Sequence, residues 1–351
     1  MSLPQTFAKA VGRDGWIVAL LLLLADFICL CFVAWAIKLN KNKLTFAQIT
    51  KDSIGMVFSK IVQAIFALFI VVRLITLYSG VYELFVATFG IRTNWMGFAL
   101  PLAMFVLFAV SKGMQPIARA NQLLAPLIVL SLVAILALPS AQVEIDELLP
   151  IAEDGFSKIL STAATNGFWF SDYLFLYFVM DGVKKQKRHF LPILGFFCIG
   201  GLLTLFMYML FTGLFGKMAP YTDLAMSKVS QFVVTTAVNG RVDWLFVTIW
   251  TASVFIKILV FTFSLYKTLV GLFGVKGYRF NYAVGIVSVA VIVLPLFVTV
   301  NQLSQIVSKW LCYPFYVIQY LLPLLMPLLV KLANVKTHKN NVVGVGVNED
   351  A

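Results

Sequence analysis

The sequence predicts an all-α polytopic membrane protein, and three observations carry that prediction. Of its 351 residues, 61% are hydrophobic and only 12% are charged, against about 45–50% and about 25% in soluble domains. Apolar runs repeatedly reach the roughly 20 residues that a helix needs to cross the hydrocarbon core. The runs are continuous rather than alternating, which excludes the ten-residue strands of a membrane barrel. A soluble enzyme and a secreted disulfide domain are excluded, because so little polar surface could not cover such a chain. A nucleic-acid binder is excluded despite a net charge of +12, since almost all Lys and Arg fall between the apolar runs.

Nine segments follow in order, in one domain spanning residues 1–333. The first, 16–37, opens at Trp16 and carries Asp26 midway. The second, 56–88, is long and contains Arg73, with Glu83 near its outer end. Segment 96–112 ends at Lys112, and 117–138 ends before Pro139. The fifth, 157–181, contains the polar stretch Thr162–Ser171 ahead of Asp172. The sixth, 190–216, begins after the basic run Lys184–His189. Segment 243–270 carries Lys257 close to its centre, and 280–299 and 305–330 complete the set. The stretch 219–239 is too polar to span and reads as an amphipathic helix on the outer surface, either a lid or a plain connection. Residues 334–351 read as a polar, irregular cytoplasmic tail.

The connections differ in charge. One alternate set holds Lys38, Lys41, Lys43, Lys51, Lys60, Lys112, Arg119, Lys184, Lys185, Lys187, Arg188, Lys267, Lys276, Arg279, Lys331, Lys336 and Lys339, 17 cations in all. The other holds Lys9, Arg13, Arg92, Lys158, Lys217, Lys228, Arg241 and Lys309, which is 8, together with the acidic stretch Glu144–Asp154. Basic connections stay in the cytoplasm, so the C-terminus is inside and Met1 falls outside. Residues 1–15 contain no signal peptide, and Lys9 and Arg13 oppose an outside N-terminus. A helix upstream of Met1 would resolve the conflict.

Ionisable groups within spans are costly and normally face a bundle interior or a wet cavity. Asp26, Arg73, Asp172 and Lys257 are two acids and two bases that can neutralise one another between helices. For Asp26 and Arg73 the plain reading is an ion pair that fixes packing. For Asp172 and Lys257 the surroundings favour function. Asn166-Gly167 is a poor helix interior, and a break within lipid is tolerated only where protein or a cavity covers it. Broken transporter helices offer freed N–H groups to anions and freed carbonyls to cations. The fifth segment therefore reads as a discontinuous helix with a site near Asn166, Gly167 and Phe168; a kink relieved by Ser and Thr side chains is the alternative. The neighbouring aromatics read as packing. Lys257, with Ser253 one turn before it, needs a partner from another helix, and Asp172 is a candidate.

The sequence contains no P-loop, GxSxG, HExxH or paired-carboxylate motif, so no enzyme activity, cofactor or metal is expected. Cys29, Cys31, Cys198 and Cys312 lie within spans and read as small packing residues. His189 and His338 lie in basic connections.

Gly113-Met114-Gln115-Pro116-Ile117-Ala118-Arg119, with Asn121 and Pro126, resembles the Gly-Ile-Glu, Ala-Arg and Pro steps that open one span in the B subunits of spore germinant receptors. Arg241-Val242-Asp243 with Trp250 resembles an Arg-x-Asp opening with a downstream Trp. Leu3-Pro4 and Asp14-Gly15-Trp16 resemble the approach to the family's second helix. Phe170-Ser171-Asp172 stands where the family often has Phe-Gly-Glu, and Gly213 or Gly216 with Pro220 resembles an outer Gly-to-Pro step. The match runs to about residue 330.

This resemblance implies a LeuT-like inverted-repeat transporter fold of the amino-acid/polyamine/organocation superfamily, with ten helices in two five-helix repeats. Nine spans are present, and the family's first helix is expected upstream of Leu3. It implies a nutrient-sensing subunit in the inner membrane of the spore, which binds a small nutrient such as an amino acid and signals to receptor A and C subunits. An amino-acid symporter of the same fold is the alternative. The implied pocket lies between the second, fifth and seventh spans. Its candidates are Tyr78, Asn166, Gly167, Phe168, Asp172 and Lys257, with Ser253 and Thr262 weaker. N–H groups after the Gly167 break would take the ligand carboxylate; carbonyls near Thr165, or Asp172, would take its ammonium.

Overall fold

The computed structural model describes residues 3–89, 94–150, 152–153, 155–182, 190–222, 225, 228–229, 243–274, 293 and 300–346. Among the described residues every regular element is helical. Six helical runs are long and apolar enough to cross a membrane: Leu3–Leu39, Met56–Ala87, Met114–Gln142, Phe190–Tyr221, Thr248–Phe273 and Cys312–Lys336. Trp95–Ser111 is apolar and shorter. All but residue 293 of the expected segment at 280–299 and most of the amphipathic stretch 219–239 lie outside the described residues, as does the basic run Lys184–His189.

The chain starts with a short helix, α1 (Leu3–Val11), then turns at Gly12–Asp14 into α2 (Gly15–Leu39). The first residues are thus not a loose approach to a span. Phe7 and Val11 are buried against α2 at one end of the bundle, where Phe7 stacks on Tyr208. Helix α3 (Phe46–Ile54) is short, and its first turn is closed by a capping box in which Thr45 and Gln48 satisfy each other's backbone N–H groups. Such a cap stabilises a helix end by about 1 kcal/mol.

Helix α4 (Met56–Phe89) runs the length of the bundle, followed by α5 (Trp95–Ser111) and α6 (Met114–Ala137). Pro101 and Pro126 lie inside α5 and α6, where neighbouring helices can re-satisfy the freed backbone groups. The fifth segment is not one helix. Helix α7 (Phe156–Asn166) ends at the Asn-Gly pair, two single turns follow at Gly167–Trp169 and Asp172–Phe175, and α8 (Leu176–Val179) resumes the path.

Then come α9 (Phe190–Phe215), α10 (Asp243–Phe273), α11 (Val300–Ile306), α12 (Cys312–Tyr316) and α13 (Leu322–Gly346). The last three are joined by wide turns at Val307–Leu311 and Val317–Leu321. The helical backbone continues to Gly346, well into the stretch expected to be irregular. The polar residues after Lys331 extend an established helix, which costs far less than nucleating one.

Helices α4 and α10 make the most extensive pairing, and α2 packs between α9 and α13. The main core collects Phe66, Phe69, Phe168, Tyr177 and Phe315 around α4. At one end of the bundle, Arg13 reaches Glu147 and the carbonyl of Leu149, and Asp14 accepts from the N–H of Ala152. At the other, Asn334 donates to the carbonyl of Leu39 and Ser53 to that of Leu329. The break in the fifth segment lies between these ends.

Candidate functional site

The unwound stretch frees backbone groups that need partners, and side chains from three other elements supply them. Arg73 of α4, only 4% exposed, donates from Nη1 to the carbonyls of Phe168 at 3.3 Å and Trp169 at 2.7 Å. Its Nη2 donates to Asp172 Oδ1. The guanidinium lies 5.6 Å from the ring centroids of both Phe168 and Phe261, so it is held between two aromatic faces. An ammonium has no planar fork to serve three such acceptors.

Asp26 of α2, 3% exposed, accepts from the Ser171 N–H at 2.6 Å and lies 3.4 Å from the Ser171 hydroxyl. Ser171 has φ +70, in the left-handed region. For a residue with a side chain this conformation costs about 1–2 kcal/mol, and the Asp26 hydrogen bond holds it in place. Gln319 donates to the carbonyl of Gly167 at 3.4 Å, and Tyr173 donates back to the carbonyl of Gln319. The wide turn at Val317–Leu321 thus clasps the break from the side of the last helices.

Asp172 is the acceptor where these elements meet. Its second oxygen lies 2.5 Å from the Lys257 ammonium of α10. Arg73 forms an ion pair that fixes packing, as its place in an apolar run suggests, with Asp172, which it shares with Lys257, whereas Asp26 accepts from a backbone N–H. The Asp172 side chain nonetheless keeps 51% of its surface accessible, and Lys257 keeps 32%. The cluster is anchored at its Arg73 side and open at its Asp172 side.

The other candidates divide. Asn166 donates to the carbonyl of Thr162 at 2.9 Å and to Thr165 Oγ1 at 3.2 Å, plugging the end of its own helix. Phe168 is 1% exposed and packs on Phe69 and Phe315. Ser253 is half-buried one turn before Lys257, and Thr262 is 3% exposed on the same helix. Tyr78 is 4% exposed in the main core, five residues beyond Arg73 on α4. The freed carbonyls of Phe168 and Trp169 and the freed N–H of Ser171, the kind of backbone group expected to meet a ligand, are occupied by Arg73 and Asp26. Gln319 and the Phe261 ring were not foreseen. Their only sequence signal is a polar or aromatic residue in an apolar run, which is common.

Gly167 is required for another reason than flexibility. A Cβ there would lie 2.7 Å from the Tyr320 hydroxyl and 3.3 Å from a Tyr316 ring carbon. Gly167→Ala is expected to cost about 1–3 kcal/mol through this overpacking, read as a lower melting temperature of the detergent-purified protein. Adding Tyr320→Phe should recover part of the loss. An unchanged melting temperature for Gly167→Ala would show that the approach is not a constraint.

A helical bundle with lipid-length apolar helices and a polar, unwound segment at mid-depth has the character of a permease-like integral membrane protein. Residues 1–306 match the family of spore germination proteins, the spore permeases, and the chain belongs to that family. No curated protein matches the chain.

Proposed function

We infer that the chain is the nutrient-sensing subunit of a spore germinant receptor. It binds a small germinant of the amino-acid class at mid-membrane and signals to receptor A and C subunits. On this reading the fold is LeuT-like with nine spans, the protein sits in the inner membrane of the spore, and the basic end with the C-terminus is cytoplasmic.

The observation that carries the reading is the half-exposed Asp172 carboxylate, bridged by Arg73 and Lys257 beside the unwound segment. A charged group this open is untenable against hydrocarbon, so its open side suits a polar cavity. Two cations meet one carboxylate there, and Lys257, the more exposed of the two, can turn its donors to a ligand carboxylate. The ligand ammonium then competes for the open face of Asp172. Arg73, locked onto two backbone carbonyls, keeps Asp172 in place while Lys257 exchanges partners. The break itself would connect occupancy to the rest of the bundle, since α2, α4, α10 and the last helices all hold it.

Asp172→Asn keeps size and an acceptor while removing the charge. Spores carrying it are expected to need at least about tenfold more nutrient for dipicolinate release, equivalent to roughly 1.4 kcal/mol of binding. The panel would be single amino acids, with spores lacking the gene as reference. A dose response equal to wild type would remove Asp172 from the pocket. Gradient-driven uptake of a labelled amino acid by the purified chain in proteoliposomes would favour the symporter of the same fold instead.

A further inference from the structure

Asp26 is a buried acid without a base. It lies near the middle of α2 and is 3% exposed. Among the described residues it forms no ion pair. Both neighbouring bases are committed elsewhere, Arg73 to Asp172 and two carbonyls and Lys257 to Asp172. The remaining Arg73 nitrogen, Nε, has no hydrogen-bond partner, so it does not reach Asp26 either. The broken segment turns Ser171, Asp172 and Tyr173 towards Asp26, α4 brings Arg73, the wide turn at Val317–Leu321 brings Tyr320, and α2 itself brings Cys29. Helices α1, α7 and α9 add no charged group. Arg73 is thus the one base of the set, and Asp172 is a like charge.

A carboxylate moved from water into such a place needs a paired charge or a full set of hydrogen bonds, and otherwise takes up a proton. Asp26 has one N–H at 2.6 Å and one hydroxyl oxygen at 3.4 Å. The arrangement also has a place for the proton. Oδ2 accepts from the Ser171 N–H, and Oδ1 faces the Ser171 hydroxyl. As a carboxylate, Oδ1 accepts from that hydroxyl. As an acid, Oδ1–H donates to Ser171 Oγ while Oδ2 keeps its N–H. The left-handed turn at Ser171 is held in both states, so a proton can come and go without loss of the local fold. A hard metal cation takes about six oxygen ligands, and the hydrogen-bonding neighbours of Asp26 supply one, the Ser171 hydroxyl.

We propose that Asp26 is a proton-binding site coupled to the break in the fifth segment. A proton enters from water by the open Asp172 side, one O–H bond forms at Oδ1, and the same bond breaks when the proton leaves. The effect on the site is electrostatic. With Asp26 ionised, two acids and two bases sum to zero; with the proton bound, the sum is +1. The change falls one residue from Asp172, beside the place where a ligand carboxylate would meet Lys257. A bound proton removes a repulsive charge from that place, so proton and ligand carboxylate favour each other. This last consequence rests on the nutrient reading; the proton site does not.

The test is infrared difference spectroscopy of the full chain in lipid, without ligand, titrated from about pH 9 to about pH 5. The wild type should gain the C=O stretch of a protonated carboxyl group as the pH falls. Asp26→Asn, which keeps an acceptor for the Ser171 N–H, should lose that band, and Asp172→Asn should retain it. Ser171→Gly suits a left-handed turn and removes the hydroxyl, so it should keep the band and move it to higher frequency. That variant carries the test if Asp26→Asn does not fold. The proposal is overturned if no band belongs to Asp26 at any pH, if its band is constant throughout, or if Ser171→Gly leaves it unmoved. The link to the nutrient is scored separately, by binding of labelled L-alanine, glycine or L-leucine to proteoliposomes. Binding should strengthen as the pH falls in the wild type and lose that dependence in Asp26→Asn. The infrared band together with pH-independent binding would uphold the proton site and overturn its link to the nutrient.

Discussion

Arg73→Met is expected to destabilise the protein by about 3 kcal/mol, the largest effect of any single substitution at the break. The estimate comes from what is left behind rather than from the bonds lost. Interhelical hydrogen bonds in membrane proteins average only about 0.6 kcal/mol, so three of them account for less than 2. The remainder is the cost of two carbonyls, those of Phe168 and Trp169, left without their donor. Lys257→Met provides the contrast. It removes one bond from Asp172, which keeps Arg73, and should cost about 1 kcal/mol. The measurement is the apparent melting temperature of each variant in one detergent. Equal shifts for the two would mean that Arg73 acts only as a counter-ion of Asp172. Arg73→Lys should recover little, because a single ammonium lacks the guanidinium fork that reaches two carbonyls and a carboxylate.

Asp26→Ala is expected to cost about 2–3 kcal/mol, and Asp26→Asn less than about 1. The Ala variant strands a buried N–H and leaves Ser171 in a left-handed conformation with nothing to hold it. The Asn variant keeps an acceptor of the same length. If the two melt alike, the charge rather than the hydrogen bond is what α2 contributes. If Asp26→Asn is stable but spores carrying it respond poorly to nutrient, the Asp26 charge acts on the neighbouring cluster. Thermal stability and germination together separate these roles.

Much of this arrangement was legible in the sequence, and the division follows the range of the interactions. Asn166-Gly167 announces a break because helix propensity is a local property, and the break falls where those residues stand. Asp26, Arg73, Asp172 and Lys257 are conspicuous because an ionisable residue in an apolar run has few explanations. Their pairing was not legible. Asp172 is 99 residues from Arg73 and 85 from Lys257, and any acid could have met either base. The use of Asp26 was hidden for a different reason. Its partner is a backbone N–H, which every residue but proline carries. Gln319 escaped notice because its role depends on the approach of the last helices to Gly167. The continuation of α13 to Gly346 was missed because composition describes a tail by its polarity and not by the helix that precedes it.

What the sequence by itself determined is the solvent and the grain of the molecule. Its apolar content requires a bilayer, its continuous runs require helices, and its polar punctuation places one discontinuity. These follow from transfer energies and backbone propensities that act over a turn or two of chain. The tertiary structure alone decided which side chains satisfy the discontinuity. It assigned Arg73 to two carbonyls, Asp26 to one N–H, and left Asp172 half open. That choice depends on helix rotation and depth, where a shift of one residue turns a side chain by about 100°, and only the packing of α2, α4 and α10 against the broken segment sets it.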